Sequence, residues 1–324
     1  MKRAKAYDLV IVGGAAAGLT AAIYAARRGL NMLVVTKDIG GQAALAPKVE
    51  NYPGFAEISG LELMNRFYEQ AKKSGANFAY EEVIGIEEAK EGYFVKTSAS
   101  EYKTSAVILA LGKTPRSLGV PGEAEFTGKG VSYCATCDMP LFAGKTIAVV
   151  GGGNSALDAA LYGADIAKKV YLIHRRDEFR GFEYLVERAK ARKNIELVLN
   201  TIVKEIKGDK FVKSILVENV KTGKKAEMAV DGIFIEVGYE TKTDFLKGLV
   251  KIDNQGHIAI NRNCETFYPG SEKIRPGIFA AGDATDCPFK QIIVAAGEGA
   301  KAALQAYSYV KGVKTAIMAD WAHK

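Results

Sequence analysis

Residues 7–18 read YDLVIVGGAAAG and decide the fold of the chain. The apolar run at residues 7–12 is short and rich in β-branched side chains, which is typical of a fully buried parallel strand. The glycine turn of residues 13–18 follows directly, and residues 20–28 predict a helix. Residues 31–36 (NMLVVT) predict a second strand. This order of elements predicts a βαβ unit that binds a dinucleotide.

The same pattern returns 138 residues later. Residues 146–156 read TIAVVGGGNSA, a helix is predicted to about Ala167, and residues 170–174 read VYLIH. In both copies the first glycine of the turn lies 23 residues before the end of the second strand, so the whole unit is repeated in register. Two copies in matched context predict two sites at which backbone amides face a pyrophosphate.

Both turns depart from the G-x-G-x-x-G pattern. Ala15 replaces the second glycine of the first turn, and Ala156 replaces the third glycine of the second turn. A turn of small residues that binds no phosphate therefore stays open as the alternative for each copy.

The rest of the chain completes an α/β pattern. Strands are predicted within residues 78–97 and 195–237, and at residues 106–111 and 278–281. The last of these strands ends on Gly-Asp, and an Ala-rich helix follows to about Val310. We therefore expect an α/β protein with two dinucleotide modules.

Composition excludes several classes of protein. The 324 residues include 34 glycines, 48% are hydrophobic, and the formal net charge is +7. Basic residues are scattered among acids, which favours a solvated surface of mixed charge over nucleic-acid binding. Four cysteines are too few for a disulfide scaffold. The uncharged run of residues 9–26 is mostly Gly and Ala rather than a signal peptide or membrane span, so we expect a soluble, cytoplasmic protein.

The end of the second strand in each copy predicts the nucleotide. In the later copy, residues 174–180 read HRRDEFR, and three arginines suit recognition of a 2′-phosphate. This favours NADP(H) over an unspecific basic surface. In the earlier copy, Thr36 and Lys37 stand where an NAD site usually has an acid, so a different dinucleotide is expected.

Cys134 and Cys137 form a Cys-x-x-Cys pair that Asp138 follows. Such a pair can be half a zinc site, a structural pair or a redox dithiol. Zinc needs four ligands, and neither Cys264, Cys287 nor the three histidines show ligand spacing. Redox use is favoured because the spacing allows a disulfide whose thiols have lowered pKa values, and the Asp138 carboxyl could exchange a proton with a thiolate.

Together these motifs resemble those of the low-molecular-weight thioredoxin reductases. The matching segments, in the family's order, are GGAAAG at 13–18, GGQ at 40–42, VENYPG at 49–54, CATCD at 134–138, GGGNSA at 151–156, HRRDEFR at 174–180, GD at 282–283 and KQI at 290–292. They extend over nearly the whole chain. A cysteine pair ahead of the NADPH module is specific, since the larger glutathione-reductase-type enzymes carry theirs in the FAD domain.

The resemblance implies two Rossmann-like, three-layer ββα domains, with the NADPH domain inserted in the FAD domain. The FAD domain would comprise residues 1–117 and 242–324, and the NADPH domain, which carries the cysteine pair, residues 118–241. Residues 116–120 and 238–242 would be hinges, because the cysteines and NADPH belong to one domain and cannot both face the flavin at once.

The resemblance also implies roles for individual residues. Cys134, Cys137 and Asp138 would be catalytic, with Cys137 facing the flavin, Cys134 attacking the partner disulfide and Asp138 exchanging the proton. The expected FAD-binding residues are Gly13, Ala15, Ala16, Gly18, Thr36, Lys37, Gly40, Gly41, Gln42, Asn51, Gly112, Gly282, Asp283, Lys290, Gln291 and Ile292. The expected NADPH-binding residues are Gly151, Gly153, Asn154, Ser155, His174, Arg175, Arg176, Arg180 and Gly238.

The implied activity is transfer of a hydride from NADPH to FAD, then reduction of the Cys134–Cys137 disulfide, then exchange with thioredoxin or a thioredoxin-like protein. Relatives are homodimers, so a homodimer is expected, with no metal and no nucleic-acid or membrane partner. Other readings stay open: a related dithiol oxidoreductase that serves a glutaredoxin-like protein or a peroxiredoxin system, a small-molecule dithiol oxidase, or a flavin redox sensor without turnover.

Overall fold

The computed structural model describes residues 5–46, 49–246 and 248–313. The chain divides into two compact units. Unit 1 comprises the described residues up to Thr114 and from Thr241 onward, and unit 2 comprises Pro115–Glu240. The boundaries of the functional domains at 117/118 and 241/242 stay a prediction from the resemblance.

The elements alternate between strands and helices along most of the chain. The first part of unit 1 contains β1 (Lys5–Val12), α1 (Ala16–Arg27), β2 (Met32–Thr36), α2 (Gly41–Ala44), α3 (Gly60–Lys73), β3 (Asn77–Tyr80), β4 (Val83–Glu88), β5 (Tyr93–Thr97) and β6 (Glu101–Leu109). The chain continues through β7 (Thr114–Pro115), β8 (Val131–Ser132), α4 (Ala135–Asp138), a 3₁₀ turn (Met139–Phe142), β9 (Thr146–Val150), α5 (Asn154–Ile166), β10 (Lys169–Ile173) and α6 (Glu183–Ala191). Unit 2 then adds β11 (Ile195–Val198), β12 (Thr201–Gly208), β13 (Val212–Asn219), β14 (Lys225–Ala229), β15 (Gly232–Ile235) and β16 (Tyr239–Glu240), and unit 1 resumes with a 3₁₀ turn (Asp244–Leu246), β17 (Glu265–Phe267), β18 (Ile274–Ala280) and α7 (Ile292–Lys311).

In unit 1 the main sheet has the order β17-β18-β6-β1-β2-β3, with β5 and β4 extending from β6. Strand β1 pairs in parallel with both β2 and β6. Its side chains alternate between two cores: Leu9 and Ile11 pack with the helices, and Val10 and Val12 pack on the opposite face. Both faces of the parallel strands are therefore buried, which explains why this run is apolar throughout.

Unit 2 has the corresponding three layers. Its parallel sheet has the order β11-β10-β9-β15-β8, and β12, β13 and β14 form an antiparallel sheet. Helices α5 and α6 contribute to the core on one side of the parallel sheet, and the antiparallel strands contribute to the core on the other. The α/β class and the two Rossmann-like units predicted from the sequence are confirmed.

The repeat seen in the sequence is also a repeat in register. Val12 of β1 pairs with Val35 of β2, and Val150 of β9 pairs with Ile173 of β10, so both partners are shifted by the same 138 residues. The predicted start of the first helix at residue 20 is wrong, because α1 begins at Ala16. Alanine has a high helix propensity, and Gly18 fits within the first turns, so the helix extends back into the glycine turn.

A buried carboxylate organises the segment ahead of the cysteine pair. The side chain of Glu123 accepts hydrogen bonds from the backbone N–H groups of Leu118 (2.8 Å) and Gly119 (2.7 Å). The hydroxyl of Tyr133 also donates to it at 2.7 Å. Glu123 therefore connects residues 118–119 to the residue next to Cys134. We refer to these contacts as the Glu123 clamp.

Across the described ranges, no helix is long and apolar enough to cross a membrane. Within the same ranges, no group of three or more His, Cys, Asp or Glu side chains could hold a metal ion.

Candidate active site

Unit 1 contains a cavity of about 490 Å³ at the carboxyl ends of β1, β2, β6 and β18. Its volume lies in the range of about 300–1,000 Å³ that is usual for small-molecule sites. The predicted FAD-binding residues that line it are Gly13, Ala15, Ala16, Thr36, Lys37, Gly41, Gln42, Gly112, Gly282, Asp283, Lys290, Gln291 and Ile292. Residues from distant parts of the sequence thus meet at one edge of the sheet.

Three residues predicted to bind FAD do not line this cavity. A Cβ atom on Gly18 would lie 1.9 Å from the carbonyl oxygen of Gly13, so Gly18 allows α1 to approach the turn. Gly40 has a positive φ of 96° and a Cβ there would crowd α3 at Met64. The Asn51 amide donates to the side-chain oxygen of Gln291 at 3.0 Å. These residues support the cavity wall rather than form its surface.

The glycine turn of unit 1 presents backbone to the cavity. A Cβ atom on Gly13, whose φ is 116°, would lie 2.1 Å from the Ala110 carbonyl oxygen, so only glycine fits there. Helix α1 starts beside the cavity and has no acidic residue in its first turn. Free N–H groups and the positive end of the helix dipole suit an anionic group such as a pyrophosphate. Gly14, which belongs to the glycine turn predicted from the sequence, also lines the cavity.

Charged groups face each other at one end of the cavity. Burial raises the pKa of Asp283, and the nearby Lys290 and Lys113 oppose that rise. Burial lowers the pKa of Lys113, and Lys290 lowers it further. Lys290 itself donates to the carbonyl oxygen of Thr285 at 2.7 Å. Lys113 is a cavity residue that the sequence motifs did not indicate, because it lies outside them in the turn after β6.

The Gly282–Asp283 turn depends on a buried acid from α7. The Glu298 carboxylate accepts the Gly282 N–H at 2.7 Å and lies 3.3 Å from the hydroxyl oxygen of Thr285. Glu298 is only 7% exposed. In the sequence, Glu298 stands out only as a single acid on the buried face of α7, which is otherwise rich in alanine.

We expect Glu298→Ala to weaken flavin binding. The change leaves the buried Gly282 N–H without an acceptor, which costs about 1–3 kcal/mol, and frees the turn that carries Asp283. The dissociation constant for FAD should rise by roughly 5- to 150-fold, measured by fluorescence quenching on adding FAD to flavin-free protein. Glu298→Gln keeps an acceptor oxygen and should lose much less affinity. Equal affinities of the Ala variant and the unmodified protein would contradict this role.

The segment after β10 is hydrogen-bonded to the glycine turn of unit 2 and to the start of α5. The Arg180 N–H donates to the Gly152 carbonyl oxygen at 2.7 Å, and the Phe182 N–H donates to the side-chain oxygen of Asn154 at 2.8 Å. Helix α5 starts at Asn154 and has no acid in its first turn. These hydrogen bonds fix the glycine turn, the start of α5 and the backbone of Arg180 relative to one another.

The three predicted phosphate-binding arginines lie on the surface of this segment. Arg175, Arg176 and Arg180 are exposed, and within the part of the chain that the structure describes none of them is in an ion pair. The acid between them, Asp177, pairs with Lys221 at 2.7 Å. Three guanidinium groups therefore remain available to an anion.

His174 lies under the turn. A Cβ atom on Gly152 would lie 2.1 Å from its ring carbon Cε1, and the ring stacks on Phe179 with centroids 5.3 Å apart. Burial lowers the pKa of His174, and the charges of the neighbouring arginines lower it further. A hydrogen bond with the Glu178 backbone opposes this shift. The Nε2 atom of His174 is buried and has no partner among the described residues. The neutral ring therefore supports the turn and keeps one polar atom for a ligand.

We expect Gly152→Ala to weaken binding of both nicotinamide coenzymes to a similar degree. The new methyl group must displace the buried imidazole or the turn, and overpacking of this kind costs about 1–3 kcal/mol. The KM values for NADPH and NADH, measured in a disulfide-reduction assay, should rise together. Gly85→Ala is the matched control because a Cβ there has no atom within 4 Å. A Gly152→Ala protein that behaves like this control would contradict the packing argument.

Four further residues were predicted to bind NADPH: Gly151, Gly153, Ser155 and Gly238. Ser155 is exposed in the first turn of α5. Gly238 is exposed, has a φ of 100°, and its carbonyl oxygen accepts the Arg116 N–H at 2.9 Å. Gly151 and Gly153 complete the turn itself, and Gly153 precedes the first residue of α5.

The cysteine pair lies at the carboxyl end of β8, in the same sheet as the second glycine turn. Cys134 is half-buried and disulfide-bonded, whereas Cys264 and Cys287 are free. The backbone of Cys137 belongs to α4, and its side chain lies outside the described part of the structure. Burial raises the pKa of the Cys264 thiol to about 12, so Cys264 is not poised to react.

Ser132 joins Asp138 to the cysteine motif. Its buried hydroxyl lies 2.6 Å from a carboxylate oxygen of Asp138 and accepts the Cys134 N–H at 3.0 Å. The Asp138 N–H donates to the Cys134 carbonyl oxygen at 3.2 Å. Asp138 is thus fixed beside Cys134, as a proton-exchanging group must be. Ser132 could not be selected from the sequence, because a serine two residues ahead of a cysteine has no distinctive pattern.

Comparison with known proteins agrees with this geometry. The family model for pyridine nucleotide-disulphide oxidoreductases matches residues 7–299. The chain is 40% identical to the thioredoxin reductase of Bacillus subtilis (strain 168), over 98% of this chain and 99% of that protein. It is 42% identical to the thioredoxin reductase of Treponema pallidum (strain Nichols), over 94% and 97%. The crystal structure of Lactococcus lactis thioredoxin reductase matches with a TM-score of 0.77 and 39% identity, over 95% of this chain and all of that chain.

Proposed function

Because the chain belongs to the pyridine nucleotide-disulphide oxidoreductases, and within them to the thioredoxin reductases, we propose that it passes electrons from NADPH to the disulfide of thioredoxin. It is an NADPH-dependent flavoenzyme of the thioredoxin-disulfide reductase type. The observation that carries the proposal is the parallel sheet of unit 2. Its carboxyl edge holds both a glycine turn with three arginines that have no ion-pair partner among the described residues, and a disulfide-bonded cysteine beside a fixed carboxyl.

The residues of unit 1 fit FAD. The glycine turn of unit 1 has no room for a side chain at Gly13, and the start of α1 offers backbone N–H groups to the pyrophosphate. Asp283 can accept hydrogen bonds from the hydroxyl groups of the ribityl chain, and its raised pKa reflects a buried site. The bound flavin supplies two-electron redox chemistry between a nicotinamide and a disulfide.

The residues of unit 2 fit NADPH. Arg175, Arg176 and Arg180 would bind the 2′-phosphate, and the turn that Gly152 and His174 shape would hold the pyrophosphate at the start of α5. The unpartnered Nε2 atom of His174 supports this proposal, because a buried polar atom normally has a hydrogen-bond partner.

The dithiol then carries the exchange. We assign to the thiolate of Cys134 the attack on one sulfur of the partner disulfide, which forms a mixed disulfide and releases the other partner sulfur as a thiolate. Cys137 next displaces the partner, and the Cys134–Cys137 disulfide forms again. Asp138, held by Ser132, would supply and recover the proton of the departing thiolate.

Thioredoxin is the partner that the family points to, and the choice between thioredoxin and another small dithiol protein is part of the proposal. A homodimer and a cytoplasmic location, both expected from the sequence, belong to it as well. The exposed side chain of Leu141, which is 70% exposed and lies three residues after Asp138, offers an apolar contact next to the cysteines.

An anaerobic titration tests the proposed function. Adding NADPH to the FAD-containing protein should bleach the visible absorbance of the flavin, and adding oxidised thioredoxin should restore it. Oxidised glutaredoxin and a peroxiredoxin serve as comparison partners. If NADPH reduces the flavin and only glutaredoxin or peroxiredoxin reoxidises it, that protein rather than thioredoxin is the substrate. A flavin that no protein disulfide reoxidises would favour a redox sensor.

A further inference from the structure

Glu236 lies at the carboxyl edge of the parallel sheet of unit 2, where the second glycine turn and the cysteine pair also lie, and has no role in the mechanism above. Strand β15 pairs in parallel with β8, with Phe234 opposite Ser132. Glu236 is the first residue after β15, and Cys134 follows the end of β8 by two residues. The Glu236 carboxylate accepts a hydrogen bond from the N–H of Ala135, the residue bonded to Cys134.

The other side of Glu236 meets the second glycine turn. Its N–H donates to the Val150 carbonyl oxygen at 2.8 Å. A Cβ atom on Gly151 would lie 2.3 Å from the Glu236 carbonyl oxygen. The half-buried carboxyl therefore occupies the edge of the sheet between the predicted coenzyme turn and the redox disulfide.

Among the residues that the structure describes, no cation contributes to the pKa of this carboxyl. The glycine turn brings no charge, Tyr133, which follows β8, is bound to Glu123, and Asp138 on α4 is bound to Ser132. The charge of Glu236 contributes to raising the pKa of Tyr239 on β16. Burial raises the pKa of Glu236 to about 7, and only the Ala135 N–H opposes that rise. Its proton is therefore exchangeable near neutral pH.

We propose that Glu236 is a positioning residue of the dithiol, which binds the backbone beside Cys134 and takes up one of the protons that accompany reduction of the Cys134 disulfide. The inference rests on the proposed function, because it takes this disulfide as the redox centre. No carboxyl other than Asp138 was assigned to the reaction by the sequence motifs.

Two electrons, which NADPH supplies in the proposed function, break the S–S bond and leave both sulfurs as thiolates. One sulfur takes up a proton and becomes a thiol, the other remains a thiolate, and the second proton binds to the Glu236 carboxylate. A new thiolate nearby raises the pKa of Glu236 above its value beside the disulfide, since like charges oppose each other. Just above about pH 7, Glu236 is therefore ionised while the disulfide is intact and protonated once the disulfide is reduced.

The test measures the disulfide directly. The FAD-containing protein and its Glu236→Gln variant are equilibrated with mixtures of reduced and oxidised dithiothreitol from about pH 6 to pH 8.5, spanning the pKa of Glu236. The thiols are then trapped and counted by mass spectrometry. Reduction of the disulfide in Glu236→Gln should take up about one proton fewer above pH 7. Its reduction potential, calculated from these ratios and the potential of dithiothreitol at each pH, should therefore fall by up to 29.6 mV less per pH unit than that of the unmodified protein.

Two further variants sharpen the test. Glu196→Gln removes an exposed carboxylate at the far edge of the same sheet and should match the unmodified protein. Glu236→Asp keeps a carboxyl and should retain a steeper pH dependence than Glu236→Gln, even if the Gln variant is unstable. Superimposable pH profiles of the Asp, Gln and unmodified proteins would overturn the proposal. If dithiothreitol reduces the disulfide and NADPH does not, the proposed function fails, and the pH profiles still decide the role of Glu236.

Discussion

Cys134→Ser should abolish NADPH-driven reduction of thioredoxin. The serine hydroxyl is not ionised near neutral pH and cannot form a disulfide, so neither the mixed disulfide nor its resolution is possible. We expect the rate to fall by roughly three orders of magnitude or more, which is the scale for loss of a catalytic nucleophile. The measurement is consumption of NADPH with oxidised thioredoxin as acceptor.

The flavin reaction provides the internal control. Cys134 belongs to unit 2, and the cavity proposed for FAD belongs entirely to unit 1, so the variant should keep its flavin. NADPH should still bleach that flavin, and oxygen should slowly restore its colour. Cys287→Ser removes a free cysteine of unit 1 and should have little effect. Unchanged turnover with Cys134→Ser would exclude the dithiol mechanism.

The second large effect concerns the choice of coenzyme. In the double variant Arg175→Ala and Arg180→Ala, two guanidinium groups that have no described ion-pair partner are lost from the edge of the glycine turn. Each charge-assisted contact to a phosphate is worth about 1.5–3 kcal/mol. The kcat/KM for NADPH should therefore fall by roughly 100-fold or more, while that for NADH changes little.

Steady-state kinetics with both coenzymes measure this difference. Arg188→Ala, an exposed arginine on α6 of the same unit, tests for a general effect of lost positive charge. The comparison with Gly152→Ala is informative, because that change alters the shared part of the site and should affect both coenzymes. Equal losses for NADPH and NADH in the arginine variant would show that these side chains do not read the 2′-phosphate.

The fold could be predicted in large part because its signals are local. The apolar runs at residues 7–12 and 146–150 and their glycine turns specify strand, turn and helix without reference to the rest of the chain. The start of α1 at Ala16 was missed because alanine and glycine suit both a turn and a helix. The antiparallel layer of β12, β13 and β14 was predicted only as a β-rich region, since its pairing depends on contacts between distant residues.

The candidate site divides in the same way. Residues in contiguous motifs, such as Gly13 and Arg180, could be selected from the sequence. Ser132, Glu298 and Glu236 could not, because each acts on a neighbour that only the tertiary structure supplies. A single acid or serine in an apolar segment is usually satisfied in the core or exposed, and its partner decides its role.

The Glu123 clamp has a consequence for the path of the chain between the two units. By accepting the amide protons of Leu118 and Gly119, Glu123 makes these residues a fixed part of unit 2. Their amides should exchange with deuterated solvent slowly. The hinge predicted over residues 116–120 thus contains two residues that are bound within unit 2, and Arg116 is bound there as well, because its N–H donates to the Gly238 carbonyl oxygen. The carboxylate that binds Leu118 and Gly119 also accepts a hydrogen bond from Tyr133, one peptide bond from the reactive cysteine.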